Sequence, residues 1–444
     1  MRSVARVSTV FVLGAVSALV AGCGGGGGGR GSAAAASTAT PTDVTSFSTS
    51  SVARAGHTAT LLPSGDVLVV GGVDAAGEPL SSTVIVSGTT ARPGPDLGIG
   101  RLGHSATLLP TGEVLIAGGV TGSDVTTVLA STELFDPMAD TVTPGPDLAE
   151  ARAWHVAAVC SGAQGAESVL LAGGVSTAGL TASAELFDTE TRTSALLTAT
   201  LSAPQRDARS AVLDDGRVLV VSGSGEAGAA GADLFDPTTG QFTPLAAVVA
   251  REGAGVVALG DEALVVGGES ANGLEASTEL FLGATSTFAQ RAPVGVARRD
   301  AVAVQVGPRV LVVGGWDASG PTSLVELLSV NAVEVGQPLL AARVLHTVTP
   351  LDDTHALVIG GQDAEGGLVD QLEVIDLSAA TPITPAVPAV PAATPPVMPA
   401  GPCQPAMPST PTVSAALPAE CRDLPRPRRP RMIIRFVIRC LFDR

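Results

Sequence analysis

The sequence predicts an all-β protein, a seven-bladed β-propeller of four-stranded antiparallel blades, on three observations. An arginine recurs seven times, at Arg54, Arg101, Arg152, Arg206, Arg251, Arg298 and Arg343, with spacings of 47, 51, 54, 45, 47 and 45 residues. After each arginine a β-branched run closes on a pair of glycines: Gly71 and Gly72, Gly118 and Gly119, Gly173 and Gly174, Gly267 and Gly268, Gly314 and Gly315, Gly360 and Gly361. Ser222 and Gly223 stand in for the pair once. A third segment then places an acid before two apolar residues, as in Glu133 to Asp136 (ELFD), Glu185 to Asp188 (ELFD) and Asp233 to Asp236 (DLFD), with weaker copies at Glu279, Glu326 and Glu373.

Each element of the unit follows from its residues. The first strand opens on the arginine, and three residues on stands a histidine in four copies, His57, His104, His155 and His346; Arg209, Ala254 and Ala301 replace it elsewhere. The second strand, such as Val67 to Val70 (VLVV), lacks alternation, so it is buried on both faces. The glycines at its end suit a chain that turns tightly beside a neighbour. The acid-bearing third strand leads through turn residues, Pro237 to Gly240 (PTTG), into a fourth. Repeats of about 40–50 residues with four strands fit a ring better than a solenoid, because closure protects strand edges. The last set of strands ends near Asp376, and a β-prone segment, 44–51, precedes Arg54. That segment is expected to supply the fourth strand of the blade carrying Gly360. The competing stretch, 380–386, contains Pro382 and Pro385 and suits an edge strand poorly. The propeller is therefore expected over residues 44–380.

These motifs resemble the Kelch repeat, and most of all its bacterial form: Arg54 to Pro63 reads RAGHTATLLP and Arg101 to Pro110 reads RLGHSATLLP. The resemblance covers about three quarters of the chain. Where that family places tyrosine before Asp-Pro, this chain has Phe135, Phe187 and Phe235, and Val142, Phe242 and Phe288 lie nearest its fourth-strand tryptophan. The lost hydroxyls remove hydrogen bonds. Among Kelch-like enzymes, the resemblance implies a cysteine-linked tyrosine and a tyrosine ligand for a copper-radical oxidase, and a tyrosine nucleophile for a sialidase. The chain has no tyrosine, which excludes both. An epimerase needing only acids and bases stays open, although no residue outside the repeat pattern points to one.

The ends have a different character. Residues 1–22 carry Arg2 and Arg6, then an apolar run, Val7 to Val20, of signal-peptide length. The run ends in Leu19 to Cys23 (LVAGC), which resembles a bacterial lipobox and predicts lipidation of Cys23. Each buried acyl methylene adds about 0.8 kcal/mol, so several chains on Cys23 would hold the protein to a membrane. The other reading is a plain secretory signal with an incidental cysteine. Residues 23–43 read as a Gly/Ser/Ala tether, residues 381–421 as a Pro-rich linker without periodicity, and residues 422–444 as a basic-apolar tail. In the tail Arg431, Arg435 and Arg439 recur every four residues. It reads as an amphipathic surface anchor, as a β-prone segment packed on the propeller, or as a frame artefact in a GC-rich gene. Cys160 reads as a buried small hydrophobe, and Cys403 and Cys421 flank the Pro-rich stretch where a disulfide is open to them. No metal-ligand spacing appears, so neither metal nor cofactor is expected. Of the net charge of −17, residues 1–22 carry +2 and residues 422–444 carry +6, leaving −25 on the body. Such a body repels phosphate backbones, and nucleic acid is not expected as a partner.

A residue repeated in nearly every blade serves each blade. The arginine is therefore read as a partner of the third-strand acid, and the histidine as a hydrogen-bonding group, rather than as catalysts. The loops between second and third strands carry Asp74, Asp124, Glu269, Trp316, Asp317 and Asp363, an acidic rim if they share one face and solvated loop charge otherwise. Trp316 is the candidate aromatic platform. The expectation is a monomeric, non-catalytic, lipid-anchored protein of the bacterial envelope, at the outer membrane or cell surface, that binds a protein or glycan. The alternative is a carbohydrate-active enzyme of epimerase or lyase type. Non-repeating acids converging at the mouth of the ring would favour the enzyme, and a shallow symmetric rim the scaffold.

Overall fold

The computed structural model describes residues 42–378, apart from 123–126, 163–166, 226–230, 246–250 and 330–331. The expectations for the signal peptide, Cys23, the tether up to residue 41, Asp124, the linker and tail with Cys403 and Cys421 lie outside the described residues.

Seven four-stranded antiparallel sheets follow one another along the chain. Blade 1 consists of Thr58–Leu61, Val67–Val70, Thr83–Ser87 and Thr90–Pro93, paired in that order. Blades 2 to 6 repeat the order, with second strands Val114–Ala117, Glu167–Ala172, Val218–Val221, Glu262–Val266 and Arg309–Val313. Each first strand lies beside the first strands of the two adjacent blades, and Thr347–Pro350 of blade 7 lies beside Thr58–Leu61 of blade 1, so the ring is closed.

Closure is made by the N-terminal segment. Asp43–Ser48 pairs antiparallel with Gln371–Asp376, opposing Val44 to Ile375 and Phe47 to Leu372. The predicted fourth strand of blade 7 is therefore present, ending three residues earlier than the expected span. Ser50–Val52 turns as a short 3-10 helix that buries Val52 and carries the chain from the outer edge of blade 7 to the centre of blade 1.

The second strands are buried on both faces, as their unbroken apolar runs predict. Their side chains pack between blades: Leu68, Val70 and Ile85 of blade 1 meet Val114, Ile116 and Phe135 of blade 2. Phe135, Phe187, Phe235 and Phe281 are fully buried, each burial contributing about 1.5–3 kcal/mol. Phe242 and Phe288 of the fourth strands lie against Phe235 and Phe281, with ring centroids 4.8 and 5.1 Å apart. The aspartate ending the third strand of blades 2, 3 and 4 builds the next turn: Asp136 Oδ1 accepts from the amides of Met138 and Ala139, and Asp188 and Asp236 act alike. Pro93, Pro144 and Pro244 sit in exposed fourth strands, where a missing N–H discourages edge pairing.

Candidate functional site

The repeated residues form one interlocking device. In blade 2 the buried Arg101 guanidinium donates to the carbonyl oxygens of Gly118 (2.8 Å) and Ser131 (3.0 Å) and to Glu133 Oε1 (2.7 Å). Glu133 Oε2 accepts from the Gly98 amide at 2.7 Å, stapling the segment that enters the blade. The ion pair recurs as Arg152–Glu185, Arg251–Glu279, Arg298–Glu326 and Arg343–Glu373. The first glycine of each pair (Gly71, Gly118, Gly173, Gly267, Gly314, Gly360) gives its carbonyl to its blade's arginine. The second (Gly72, Gly119, Gly174, Gly268, Gly315, Gly361) donates its amide to a carbonyl of the following blade. First glycines have φ of 57–68° and second glycines 85–100°, left-handed values that a Cβ would strain.

The histidines lock adjacent blades. His57 Nε2 bonds Thr347 Oγ1, His104 Nε2 bonds Thr58 Oγ1 and His155 Nε2 bonds Ser105 Oγ, at 2.9–3.0 Å. His346 lacks such a partner, because the corresponding residue of blade 6 is Val302. Burial, with the neighbouring arginine, pushes all four down to about 3, so they stay neutral near neutral pH and are not acid–base groups.

Two blades depart from the device. Blade 1 has Val84 at the acid position, and Arg54 Nη2 donates instead to Ser51 O and Ser82 Oγ; burial lowers its pKa to about 10. In blade 4 the structure corrects the assignment of Arg206. The Gly174 amide bonds Gln205 O just as the Gly119 amide bonds Arg152 O, so Gln205 fills the arginine position. The longest spacing of the repeat, 54 residues, hides that one-residue offset. Asp233 is consequently buried without an arginine and accepts from Ser202 N and Oγ; burial raises its pKa.

The departures that matter for binding lie two residues past the arginine position. There stand Gly56, Gly103, Trp154, Asp207, Gly253, Asp300 and Leu345, all left-handed with φ of 53–65°. They bond blade to blade: Trp154 N to Gly103 O, Asp207 N to Trp154 O, Asp300 N to Gly253 O, and Gly56 N to Leu345 O. Each lies two residues before a first strand, and the residue before it bridges to the start of the second-to-third loop, as in Ala55 with Val73, Glu252 with Glu269 and Arg299 with Trp316. These seven residues therefore ring the axis on the face that carries those loops. Four are not glycine, and each such left-handed residue costs about 1–2 kcal/mol.

The mouth has two sectors. Leu345, Leu102 and Trp154 join Val73, Val120 and Leu368 in an apolar arc, and the Trp154 indole lies flat enough on Gly103 that a Cβ there would stand 2.7 Å from Cε2. The charged arc of blades 4 to 6 holds Arg206, Asp207, Arg209, Glu252, Glu269, Arg299 and Asp300. Asp300 leans over Gly253, whose added Cβ would meet its Oδ1 at 2.5 Å. Arg299 Nε lies 3.2 Å from Glu269 Oε2 and 3.8 Å from Asp300 Oδ2. Arg206 Nε lies 3.7 Å from Asp207 Oδ2, beyond hydrogen-bond reach, and that oxygen has no hydrogen-bond partner among the described residues. Burial raises Asp207 to about 6 against the pull of Arg206 and Arg209, with Asp300 and Glu252 adding to the rise. Burial likewise raises Asp300, opposed by Arg299 and Arg209. Their side chains keep 18% and 29% exposure, although Asp207 Oδ2 itself is enclosed.

The sequence-derived rim divides. Asp74 Oδ1 accepts from the Ala76 and Glu78 amides, Asp363 Oδ1 from Glu365 and Gly367, and Asp317 Oδ1 from Ser319, so these carboxylates shape their own loops. Glu269 and Trp316 adjoin the charged arc through Arg299. Trp316 is 38% exposed. The chain's two tryptophans thus flank the carboxylates, Trp154 on the blade 3 side and Trp316 on the blade 6 side. Sequence reasoning missed Trp154, Asp207 and Asp300. The available signal was a glycine two residues past the arginine in three copies and a side chain in the rest.

Neither a protein-family model nor a curated protein matches this chain. Among solved structures it is similar to a novel fungal alcohol oxidase with catalytic diversity among the AA5 family, in complex with copper, at 17% identity and a TM-score of 0.59, covering 75% of each chain. It is also similar to YjhT, at 16% identity and a TM-score of 0.47, over 61% of this chain and 94% of that one. The first likeness shows the propeller fold. Copper-radical chemistry of the tyrosine type does not fit, because the chain has no tyrosine. Among the described residues no three His, Cys, Asp or Glu side chains gather as a metal site.

Proposed function

We propose that this is a glycan-binding propeller of Kelch type, held at a bacterial envelope through lipidated Cys23 and taking its ligand at the mouth of the ring. One observation carries the reading: in a chain with 3% aromatics, both tryptophans stand at the mouth of the ring, Trp154 in its apolar arc and the half-exposed Trp316 against Arg299 of the charged arc. A sugar offers an apolar face for an indole and hydroxyl groups for charged side chains, and the mouth carries both kinds of partner. The mature chain on a glycan array is expected to bind, and Trp154→Ala to weaken the selected glycan about tenfold, the loss of roughly 1.4 kcal/mol. A silent array, or equal binding by Trp154→Ala and Trp316→Ala, refutes it. The anchoring is tested separately: Cys23→Ser should leave the membrane fraction, and retention there overturns it. A second reading, an acid–base enzyme acting on a carbohydrate, is favoured by the raised pKa values of Asp207 and Asp300. Chemical change of the bound glycan, followed by NMR and abolished in Asp207→Asn, distinguishes it from simple binding.

A further inference from the structure

We infer that the mouth opens at a single seam, the junction of blades 4 and 5, and that a ligand at the mouth holds that seam apart. The ligand half rests on the glycan reading above; the seam itself stands on the geometry of the ring.

Three kinds of hydrogen bond tie neighbouring blades at the mouth. The second glycine's amide reaches the carbonyl at the arginine position of the next blade, as Gly72 reaches Arg101 O and Gly174 reaches Gln205 O. The left-handed ring residue donates to its counterpart in the blade before, as Asp207 does to Trp154 O and Asp300 to Gly253 O. The histidine bonds a hydroxyl of the blade before, as His104 bonds Thr58. Among the described residues, blades 2 and 3 share all three ties, as do blades 7 and 1. Blades 1 and 2, 3 and 4, and 5 and 6 share two, and blades 6 and 7 share one. Blades 4 and 5 share none.

The residues of blades 4 and 5 account for the gap. Ser222 stands where six blades have glycine, and a Cβ disfavours the left-handed backbone there. Ser222 and Gly223 are the one pair that does not adopt it, and the Gly223 amide turns back to Gln205 Oε1 of its own blade at 3.2 Å. With Gln205 in the arginine position, the histidine register of blades 4, 5 and 6 falls on Ala208, Ala254 and Ala301, whose side chains have nothing to donate. Below the rim the two blades are joined. Ala211, Leu219 and Val221 pack with Ala254, Ala263 and Val265. At the far end Asp214 N bonds Gly260 O at 3.1 Å, and Arg217 Nη2 bonds Gly283 O at 2.8 Å. Apolar packing is non-directional and allows a small tilt, while the far-end bonds hold the pivot. Blade 5, tied twice to blade 6, therefore tilts from blade 4 at the mouth alone. Trp154 of blade 3 and Trp316 of blade 6 stand on either side of the seam, so a ligand that spans both indoles favours one width of it.

Ala254, 3% exposed, lies in the seam, and Ala208, 8% exposed, holds the same register between blades 3 and 4. The mature chain is treated with a maleimide and labelling is read site by site by peptide mass spectrometry. Ala254→Cys should react about tenfold faster than Ala208→Cys, the reverse of the order their burial gives. Buried Cys160 of blade 3 reports unfolding of the ring. Equal rates, or Cys160 reacting in step with Ala254→Cys, overturn the seam. In the unsubstituted chain, hydrogen exchange at residues 255–257 should outpace that at 105–107 by a similar factor, which decides the matter if either variant misfolds; equal exchange overturns the seam. Saturating array-selected glycan should speed the Ala254→Cys reaction about threefold and leave Ala208→Cys unchanged. An unchanged or slowed reaction overturns the ligand half. A silent array overturns the functional reading instead and leaves the seam to the first comparison.

Discussion

Replacing Glu185 with alanine tests whether the arginine–acid pair holds each blade together. Both partners are wholly buried; Glu185 Oε1 accepts from Arg152 Nε at 2.6 Å, and Oε2 from the Ala149 amide at 2.7 Å and Ser194 Oγ at 2.6 Å. The alanine removes the close anion of a buried guanidinium, leaving it only Glu150 Oε2 at 3.6 Å, a loss of about 3–5 kcal/mol, and leaves an amide without its acceptor, about 1 kcal/mol more. A propeller of this length unfolding in one step has an entropy near 0.7 kcal/mol/K, so a loss of about 5 kcal/mol lowers Tm by roughly 7 °C. Differential scanning calorimetry measures it directly. Arg152→Met with Glu185→Leu should regain most of the loss, because the pair is then exchanged for apolar packing rather than broken. A fall under 2 °C for the single variant, or strictly additive losses in the double, would refute the reasoning.

Two further outcomes follow from the same device. Gly314→Ala should lower Tm more than Gly65→Ala, since its Cβ would stand 2.6 Å from His346 Cε1 whereas nothing lies within 4 Å at Gly65; equal shifts in thermal melts would mean that backbone strain alone decides. The four interblade histidines are held near 3 when folded and return to about 6.5 when unfolded, so the unfolded chain binds the extra protons. Their contribution is full above about pH 6.5 and is lost as pH falls toward 3, by roughly 1.4 kcal/mol per pH unit per histidine. Urea midpoints at pH 7, 6 and 5 should fall steeply, and a midpoint constant over that range contradicts the assignment.

The architecture was legible because it is repeated. Seven arginines, six glycine pairs and six acid-bearing strands in register define the blades, and the spare segment before Arg54 predicted the closing strand. The offset at Gln205 was not legible. Gln205 and Arg206 are adjacent polar residues, and only the hydrogen bond from Gly174 tells which one enters the blade. The rim was half legible for a related reason. Loop acids look alike in sequence, but Asp74, Asp317 and Asp363 spend an oxygen on their own backbone whereas Glu269 reaches Arg299. Trp154 was obscured by its neighbour, because the arginine–histidine motif drew attention to Arg152 and His155 and away from the residue between them.

Breaks in a repeat can be told apart by whether the structure repairs them. Arg54 lost its acid to Val84, and the turn made by the closing strand brings Ser51 O to the guanidinium. Asp233 lost its arginine to Gln205, and Ser202 bonds it through both N and Oγ. His346 keeps an unbonded ring, but a neutral one, at about 1–3 kcal/mol. The mouth combines three unrepaired features in one arc: left-handed residues that are not glycine, a carboxylate oxygen with no hydrogen bond, and acids titrating above their ordinary range. Trp154 and Leu345 offset their backbone cost by packing in the apolar arc, whereas Asp207 and Asp300 do not, and glycine at the same ring position serves blades 1, 2 and 5. The two aspartates, placed where seven blades converge and two tryptophans stand, are the departures on which the proposed binding reading rests.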